Sequence, residues 1–302
     1  MLILSPISKE RIWGTPRLHD YSGDKSIEKI GSVYSLSAIE NLSNDIIGGD
    51  FSGENLYEVV KNNPETFGLK EGENYPLIIS FTACDENLSV QVHPGDEYAK
   101  NNELGLYGKS ESWYFIEPPR NGWIYAGSLV NNKEDISELI NSGKYEKVVG
   151  KEYINKNDLV FIPSSTLHAM TAGAIVYEIQ QSTDITYRFY DYDRVDSDGE
   201  KRELHLDKAI DALDLNSMVK KSQLIDENIY EEYPYSIIKK DLRGRFKNNN
   251  KIAIAITVLD GYGRVNNELV SKGGSVIVLP EETINIEGEL KGIIAVPSTY
   301  WR

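Results

Sequence analysis

The sequence predicts a mainly β protein, arranged as a sandwich or an open barrel with a few peripheral helices. Short apolar runs bounded by turn residues dominate the chain, and helical periodicity is confined to three stretches. The runs that predict buried strands are 77–82, 159–162, 174–180 and 252–259. We expect the last of these strands to end in a turn at Asp260 and Gly261. The scarcity of helices argues against an alternating α/β fold.

The three helices are predicted at residues 55–67, 135–145 and 206–218, where apolar side chains recur at helical spacing. An Asp or Asn near the start of each stretch can cap the exposed N–H groups of the first turn. Because the helices are so few, we place them at the periphery of the β structure.

The composition excludes several classes of partner. The chain has 302 residues, of which 40% are hydrophobic, and its 47 acidic side chains outnumber 32 Lys and Arg, for a net charge of −15. Nucleic acids and anionic membranes attract positive surfaces, so we expect neither as a partner. No apolar run reaches the roughly 18 residues of a membrane span, and the first residues lack the basic segment of a signal peptide. The single cysteine, Cys84, cannot form an internal disulfide, and we therefore expect a cytoplasmic protein.

A repeated pattern indicates two β modules. Residues 157–163 and 274–280 each place a turn before a four-residue apolar strand that ends at a proline. Residues 220–232, between them, are polar and charged, and we interpret them as a linker. The boundary is placed near residue 232. Residues 1–232 are predicted to form a catalytic, metal-binding domain with helical insertions, and residues 233–302 a small β domain without a metal site.

Four side chains that can bind a metal occur in strand-like stretches. Gln91 and His93 are two residues apart, so in a strand both project from one face. Glu111 opens another β-type run, and the intervening loop, rich in Pro and Gly, allows it to return beside His93. His168 follows the predicted strand that stops at Pro163. Two imidazoles, a carboxylate and an amide on neighbouring strands predict a divalent-metal site with positions open for water or substrate.

The other histidines and the cysteine receive structural interpretations. His19 and His205 lie among charged residues and are interpreted as surface side chains. Cys84 ends a predicted strand with no histidine close in sequence, which indicates an inert core thiol.

Two basic residues are predicted to face the metal site. Arg188 lies in an alternating polar and aromatic stretch, 184–194, which in isolation is typical of a strand with surface ion pairs. The strand leading into it follows His168 and would return the chain towards the metal. Lys109 would share the strand face of Glu111 if that strand begins early enough. A guanidinium and an ammonium beside a metal favour an anionic, oxygen-rich ligand.

Four motifs occur together: residues 91–94 (QVHP), 108–111 (GKSE), 163–169 (PSSTLHA) and 186–194 (TYRFYDYDR). In this order they resemble the type I phosphomannose isomerase family, especially its short bacterial branch, and the resemblance covers the whole chain. It implies a cupin fold, a double-stranded β-helix (jelly roll) that binds zinc, followed by a smaller, degenerate cupin-like domain. In that second domain the position matching His168 is Asn285, so no metal ligand is expected there.

The resemblance also implies roles for individual residues. The zinc ligands fall on His93, Glu111 and His168 with Gln91 as a fourth, the catalytic arginine on Arg188 and the active-site lysine on Lys109. One position departs from the pattern. Longer relatives carry a histidine before this lysine, proposed to help open the sugar ring, whereas this chain has Gly108. Ring opening then uses another group, or the open-chain sugar is captured from solution.

The implied activity is the interconversion of mannose 6-phosphate and fructose 6-phosphate through an enediolate. Arg188 then stabilises the enediolate oxygens or holds the substrate. The general base is either Lys109, if zinc and burial lower its pKa, or a metal-bound hydroxide. Two other classes stay open. The same ligands suit Fe(II), as in a dioxygenase or another sugar isomerase, and the chain could be a non-catalytic module that binds sugar phosphates.

Overall fold

The computed structural model describes residues 1–103, 105, 107–195 and 199–298. It confirms the mainly β prediction. The strands are β1 (Leu2–Leu4), β2 (Ile7–Thr15), β3 (Ile30–Leu36), β4 (Ala38–Ile39), β5 (Leu42–Ser43), β6 (Ile46–Gly49), β7 (Leu77–Ala83), β8 (Val90–Val92), β9 (Glu111–Glu117), β10 (Trp123–Ser128), β11 (Val149–Tyr153), β12 (Asp158–Ile162), β13 (His168–Ala169), β14 (Ile175–Gln181), β15 (Tyr187–Tyr190), β16 (Lys220–Gln223), β17 (Ile229–Glu232), β18 (Tyr235–Lys247), β19 (Ile254–Val265), β20 (Glu268–Ser271), β21 (Ser275–Val278) and β22 (Thr283–Pro297). The α-helices are α1 (Leu56–Asn62), α2 (Asp96–Asn102), α3 (Glu134–Asn141) and α4 (Leu206–Ala212).

Two compact units interleave along the sequence. The first contains residues 1–10, 16–82 and 224–302, and the second contains residues 11–15 and 83–223. The division predicted near residue 232 differs from this, because it assigns the N-terminal segment to the metal-binding part. Strand pairing explains the difference, since β1 lies beside β21, with Leu2 opposite Ile277. As a boundary between a catalytic and an accessory part, residue 232 remains a proposal.

The first unit is built on one large antiparallel sheet. Its strand order is β17-β18-β22-β19-β21-β1-β6, and β20 pairs with the C-terminal part of β19. Alternate residues of the central strand, including Ile254, Ile256 and Val258, enter a single apolar cluster. This follows from the two-residue period of a strand, which places every second side chain on the same face. The residues between them are also buried, so this part of β19 is covered on both faces, as the sequence predicts.

The second unit contains two facing groups of strands. One is the five-stranded sheet β11-β10-β13-β8-β15, and the other is the run β16-β12-β9-β14. A core that includes Trp113 of β9 and Ile124 of β10 joins the two groups, as in a jelly roll. On its other face the five-stranded sheet buries Val90 and Val92 against α3 and α4. Because Gln91 lies between these two valines, its side chain projects from the opposite face, towards the interior of the sandwich.

One predicted turn is wrong. The strand that begins near Ile254 passes through Asp260 and Gly261 and ends at Val265. The register against β22 shifts between Val258 and Asp260, and Gly261 has a φ of +88°. These are the marks of a β-bulge, in which glycine supplies the positive φ that the sequence rule associates with a turn.

The predicted helices exist but are shorter, and one helix was not predicted. The first ends at Asn62 because Pro64 cannot continue it, and the helix α2 buries a single residue, Ala99, too few for a periodic signal. The change from one unit to the other falls between residues 223 and 224, within the proposed linker, but this segment is not irregular, because it contains β16 and β17, which pair with β12 and β18. Both β16 and β17 are polar strands, and each is the outermost strand of its sheet among the described residues.

Within the described residues, no helix has the length and apolarity needed to cross a membrane.

Candidate metal centre

The candidate metal ligands come from both groups of strands in the second unit. Glu111 is the first residue of β9, and its side chain lies on the same face as Trp113 in the inter-sheet core. His168 opens β13 opposite Gln91 of β8. His93 follows β8 directly. The predicted strand therefore ends at Val92, one residue before this histidine.

Three of these side chains form a compact, buried cluster. His93 Nε2 lies 3.5 Å from Glu111 Oε2, and His168 Nε2 lies 3.3 Å from Glu111 Oε1. One ligand atom from each of the three residues falls within 4.8 Å of the other two. Each side chain is at most 1% exposed. This is the spacing that donors around a single small cation require.

Backbone carbonyls orient both imidazoles. His93 Nδ1 lies 3.0 Å from the carbonyl oxygen of Ile185, and His168 Nδ1 lies 2.8 Å from that of Thr166. Because a carbonyl oxygen only accepts, each Nδ1 carries the proton and each Nε2 keeps its lone pair. This arrangement is the usual support of a metal-bound histidine.

The donor set also fits a metal chemically. Among the described residues, His93 Nε2 and both carboxylate oxygens of Glu111 are buried and form no hydrogen bond, although Glu111 Oε2 lies 3.2 Å from the ammonium of Lys109. Burial, followed by the charge of Lys109, lowers the pKa of His93 well below its usual range. Burial alone would raise the pKa of Glu111, but Lys109, His93 and His168 outweigh it and hold that pKa well below its usual value. Neutral imidazoles and an ionised carboxylate are the forms that ligate metals.

Gln91 and Arg188 share a row with His168. In the five-stranded sheet His168 is paired with Gln91, and Gln91 is paired with Arg188 on β15. Directly paired residues of antiparallel strands project from the same face. The side-chain amide nitrogen of Gln91 lies 3.4 Å from His168 Nε2, which places this amide at the edge of the cluster.

Lys109 reaches the cluster from a loop. The strand begins at Glu111, so the condition under which Lys109 would share its face is not met. Its Nζ nevertheless lies 3.2 Å from Glu111 Oε2, with 8% of the side chain exposed. Three consecutive backbone N–H groups fix this loop: those of Gly108, Lys109 and Ser110 donate to the Asp96 carboxylate (2.7 Å), the Pro94 carbonyl (3.0 Å) and the Gln181 side-chain oxygen (2.8 Å).

Gly108 occupies a position where no side chain fits. A Cβ there would lie 2.4 Å from the carbonyl carbon of Gly95, 2.5 Å from the carbonyl oxygen of Pro94 and 2.6 Å from the amide nitrogen of Asp96. All three contacts are with backbone, which cannot rotate away as a side chain can. A histidine before Lys109 is therefore incompatible with this loop unless the backbone moves.

Arg188 is held by the segment before α4. Its guanidinium donates to the carbonyl oxygen of Glu203 (2.7 Å). Its backbone N–H donates to His205 Nδ1 (3.1 Å), and its carbonyl accepts from the His205 N–H (2.8 Å). The interpretation of His205 as a plain surface residue is therefore incomplete. Its side chain is 27% exposed, but its ring nitrogen and its backbone N–H both form hydrogen bonds with the backbone of Arg188.

Several supporting residues escaped the sequence interpretation. Asp96 and Gln181 are joined by a hydrogen bond of 3.0 Å between Gln181 Nε2 and Asp96 Oδ1, and both bind the Lys109 loop. They are 85 residues apart, so no spacing rule connects them.

Cys84 is fully buried, as expected for a core thiol. His19 is half-buried, and its Nε2 contacts the carbonyl oxygen of Ile27 at 2.9 Å.

The fold and the buried His–Glu–His cluster define this protein as a cupin with a candidate metal centre. No family model matches the chain. It is 34% identical over 98% of its length to the probable mannose-6-phosphate isomerase GmuF of Bacillus subtilis, 99% of which is covered. The crystal structure of the mannose 6-phosphate isomerase from B. subtilis superimposes with a TM-score of 0.84 at 32% identity, covering 97% of this chain and 98% of that one. A zinc-bound mannose 6-phosphate isomerase shares the fold, with a TM-score of 0.74 at 12% identity over 98% and 99% of the two chains.

The chain belongs to the mannose-6-phosphate isomerase family, which consists of aldose–ketose isomerases.

Proposed function

We propose that the chain interconverts mannose 6-phosphate and fructose 6-phosphate, with a zinc ion bound by His93, Glu111 and His168. Gln91 is the proposed fourth ligand. The observation that carries the proposal is the buried His–Glu–His cluster in a chain of this family. Two observations support the choice of metal: a neighbour of the same fold is recorded with zinc bound, and the buried carboxylate oxygens of Glu111 form no hydrogen bond.

The reaction sets the tasks of the site. In the open-chain sugar a proton moves from C2 to C1 and a hydroxyl proton moves from O2 to O1, through an enediolate. The carbon acid is weak, so the negative charge on the two oxygens must be stabilised while the proton is removed. A bound zinc ion would supply Lewis-acid stabilisation of that charge.

The chain's own residues would supply orientation and positive charge. Arg188 remains a cation and projects from the same sheet face as Gln91 and His168, so its guanidinium is suited to the enediolate oxygens or to the phosphate. Lys109, 3.2 Å from the buried carboxylate of Glu111, is favoured as an ammonium. In that form it holds a substrate oxygen and fixes Glu111. It can act as the general base only when it has lost a proton.

A coupled assay tests the activity: mannose 6-phosphate is supplied and fructose 6-phosphate is detected. We expect turnover that a chelator abolishes and added zinc restores. The same turnover under argon separates isomerisation from oxygen-dependent chemistry. Binding of mannose 6-phosphate without turnover would contradict the proposal and indicate a binding module.

Two substitutions test the proposed cations. Arg188→Ala and Lys109→Ala should remain folded and lose about 10²–10³-fold in kcat, the usual effect of removing one preorganised charge. Lys100→Ala, at an exposed position on α2, is the matched control and should keep full activity. Full turnover in either site variant would remove that residue from the mechanism.

A further inference from the structure

His205 occupies the place of a missing strand beside Arg188. Among the described residues, the strand β15 is last in the order of its sheet, and no strand is paired with its other edge. At Arg188 both backbone groups are directed to His205: the N–H donates to Nδ1 at 3.1 Å, and the carbonyl accepts from the His205 N–H at 2.8 Å. The imidazole nitrogen thus replaces the carbonyl oxygen that a neighbouring strand would supply.

The same segment also holds the guanidinium. Arg188 Nη1 donates to the carbonyl oxygen of Glu203 at 2.7 Å, two residues before His205. Three hydrogen bonds therefore connect Arg188 to residues 203–205. On its other edge, Arg188 is paired with Gln91 of β8.

We propose that His205 is a positioning residue for Arg188, and that it acts only with Nδ1 unprotonated, as the acceptor for the Arg188 N–H. The inference rests on the proposed function of Arg188 in the isomerase reaction. A protonated Nδ1 would present an N–H group to the N–H of Arg188, and the bond would be lost. The edge of β15 would then be held by a single backbone bond at this residue.

The surroundings of the ring favour the required form. Its Nε2, which carries the proton in this tautomer, lies 3.8 Å from the carboxylate of Glu203. Burial lowers the pKa of His205 and the charge of Arg188 lowers it further, and together they outweigh the Glu203 carboxylate, which raises it. The other groups that act on the ring are Lys208 of α4 and Glu103 after α2, which oppose each other, and the ring of Tyr187 at 6.4 Å. The acceptor is therefore present at neutral pH and is lost as the pH falls through the lowered value.

Three variants separate hydrogen bonding from volume. His205→Asn keeps an acceptor, because Asn Oδ1 occupies the place of His Nδ1. His205→Gln is closer in size but carries its oxygen one atom further out, and His205→Ala has no acceptor. We expect His205→Asn to keep kcat/KM within about twofold and the other two to lose about tenfold, as for a displaced catalytic group. Zinc content and Tm are measured on each holoenzyme as controls.

Coupling to Arg188 is tested by a double-mutant cycle. If His205 acts through Arg188, His205→Ala should add no further loss in the Arg188→Ala background. A full additional tenfold loss there would overturn the inference, and so would equal rescue by Gln and Asn.

A measurement independent of turnover distinguishes this inference from the proposed function. Amide hydrogen exchange at Arg188 should accelerate in His205→Ala and stay slow in His205→Asn. In the wild-type enzyme, but not in His205→Asn, the protection should decrease as the pH falls through the lowered pKa of His205. Unchanged exchange in His205→Ala would overturn the inference even in an active enzyme. A wild-type enzyme with no isomerase activity but with this exchange pattern would instead contradict the proposed function.

Discussion

Replacing Gly108 by alanine is the sharpest test of how the active-site lysine is placed. The new Cβ would lie 2.4, 2.5 and 2.6 Å from three backbone atoms of residues 94–96, where ordinary contacts begin at 3.4 Å. The two segments must therefore separate by about 1 Å, a displacement that can cost about 10²-fold in rate when it moves a catalytic group. We expect Gly108→Ala to lose about 10²-fold in kcat/KM and about 1–3 kcal/mol of stability, the usual cost of overpacking.

The matched control lies on the facing segment, immediately before α2. A Cβ at Gly95 meets only the side-chain oxygen of Ser164, at 3.4 Å, so Gly95→Ala should keep kcat within a few fold. Both variants are assayed for turnover of mannose 6-phosphate, and their zinc content and urea unfolding are measured. Wild-type kcat/KM and stability in Gly108→Ala would refute the reasoning, because they would mean that the loop has room for a side chain.

Three further predictions concern charged groups of the second unit. Glu111→Gln should leave the fold intact but bind zinc much more weakly, which metal analysis after dialysis against a mild chelator would detect. Asp96→Ala should lower kcat by removing the acceptor of the Gly108 N–H, whereas Asp96→Asn keeps that acceptor and should be close to wild type. Asp191→Asn should destabilise the enzyme by about 1–3 kcal/mol, because it leaves the partly buried guanidinium groups of Arg194 and Arg202 without their carboxylate. Although burial opposes it, pairing with these two arginines lowers the pKa of Asp191, so the stability difference should be full above about pH 5 and vanish as the pH falls through the lowered value. A difference independent of pH in urea unfolding would argue against that ion pair.

The candidate metal ligands were predictable because their signals are local. Gln91 lies in a short strand that His93 directly follows, and Glu111 opens an apolar strand whose limits are visible in the sequence. The structure brings His93, Glu111 and His168 together, as expected from these motifs. Their roles in binding zinc remain proposals.

The supporting contacts could not be predicted, since they depend on how distant segments fold together. His205 has charged neighbours in sequence, but its decisive neighbour in space is the backbone of Arg188, 17 residues away. In the sequence Gly108 stands out only as a departure from the longer relatives, and its approach to residues 94–96 explains why it must be glycine. Asp260 and Gly261 illustrate a different limit. A turn and a β-bulge both use a glycine at positive φ, so the dipeptide alone does not distinguish them.

The pairing of β1 with β21 has a consequence for synthesis on the ribosome. Leu2 lies opposite Gly49 on one side and opposite Ile277 on the other. The second partner lies 228 residues after the first, so at roughly 5–20 residues per second it follows about 11–46 s later. Throughout that interval the nascent first strand keeps one apolar edge open, and chaperones that shield such edges should matter most for this segment. A truncated chain that stops near residue 232 would never close that edge, so we expect it to aggregate and not to yield an isolated catalytic domain.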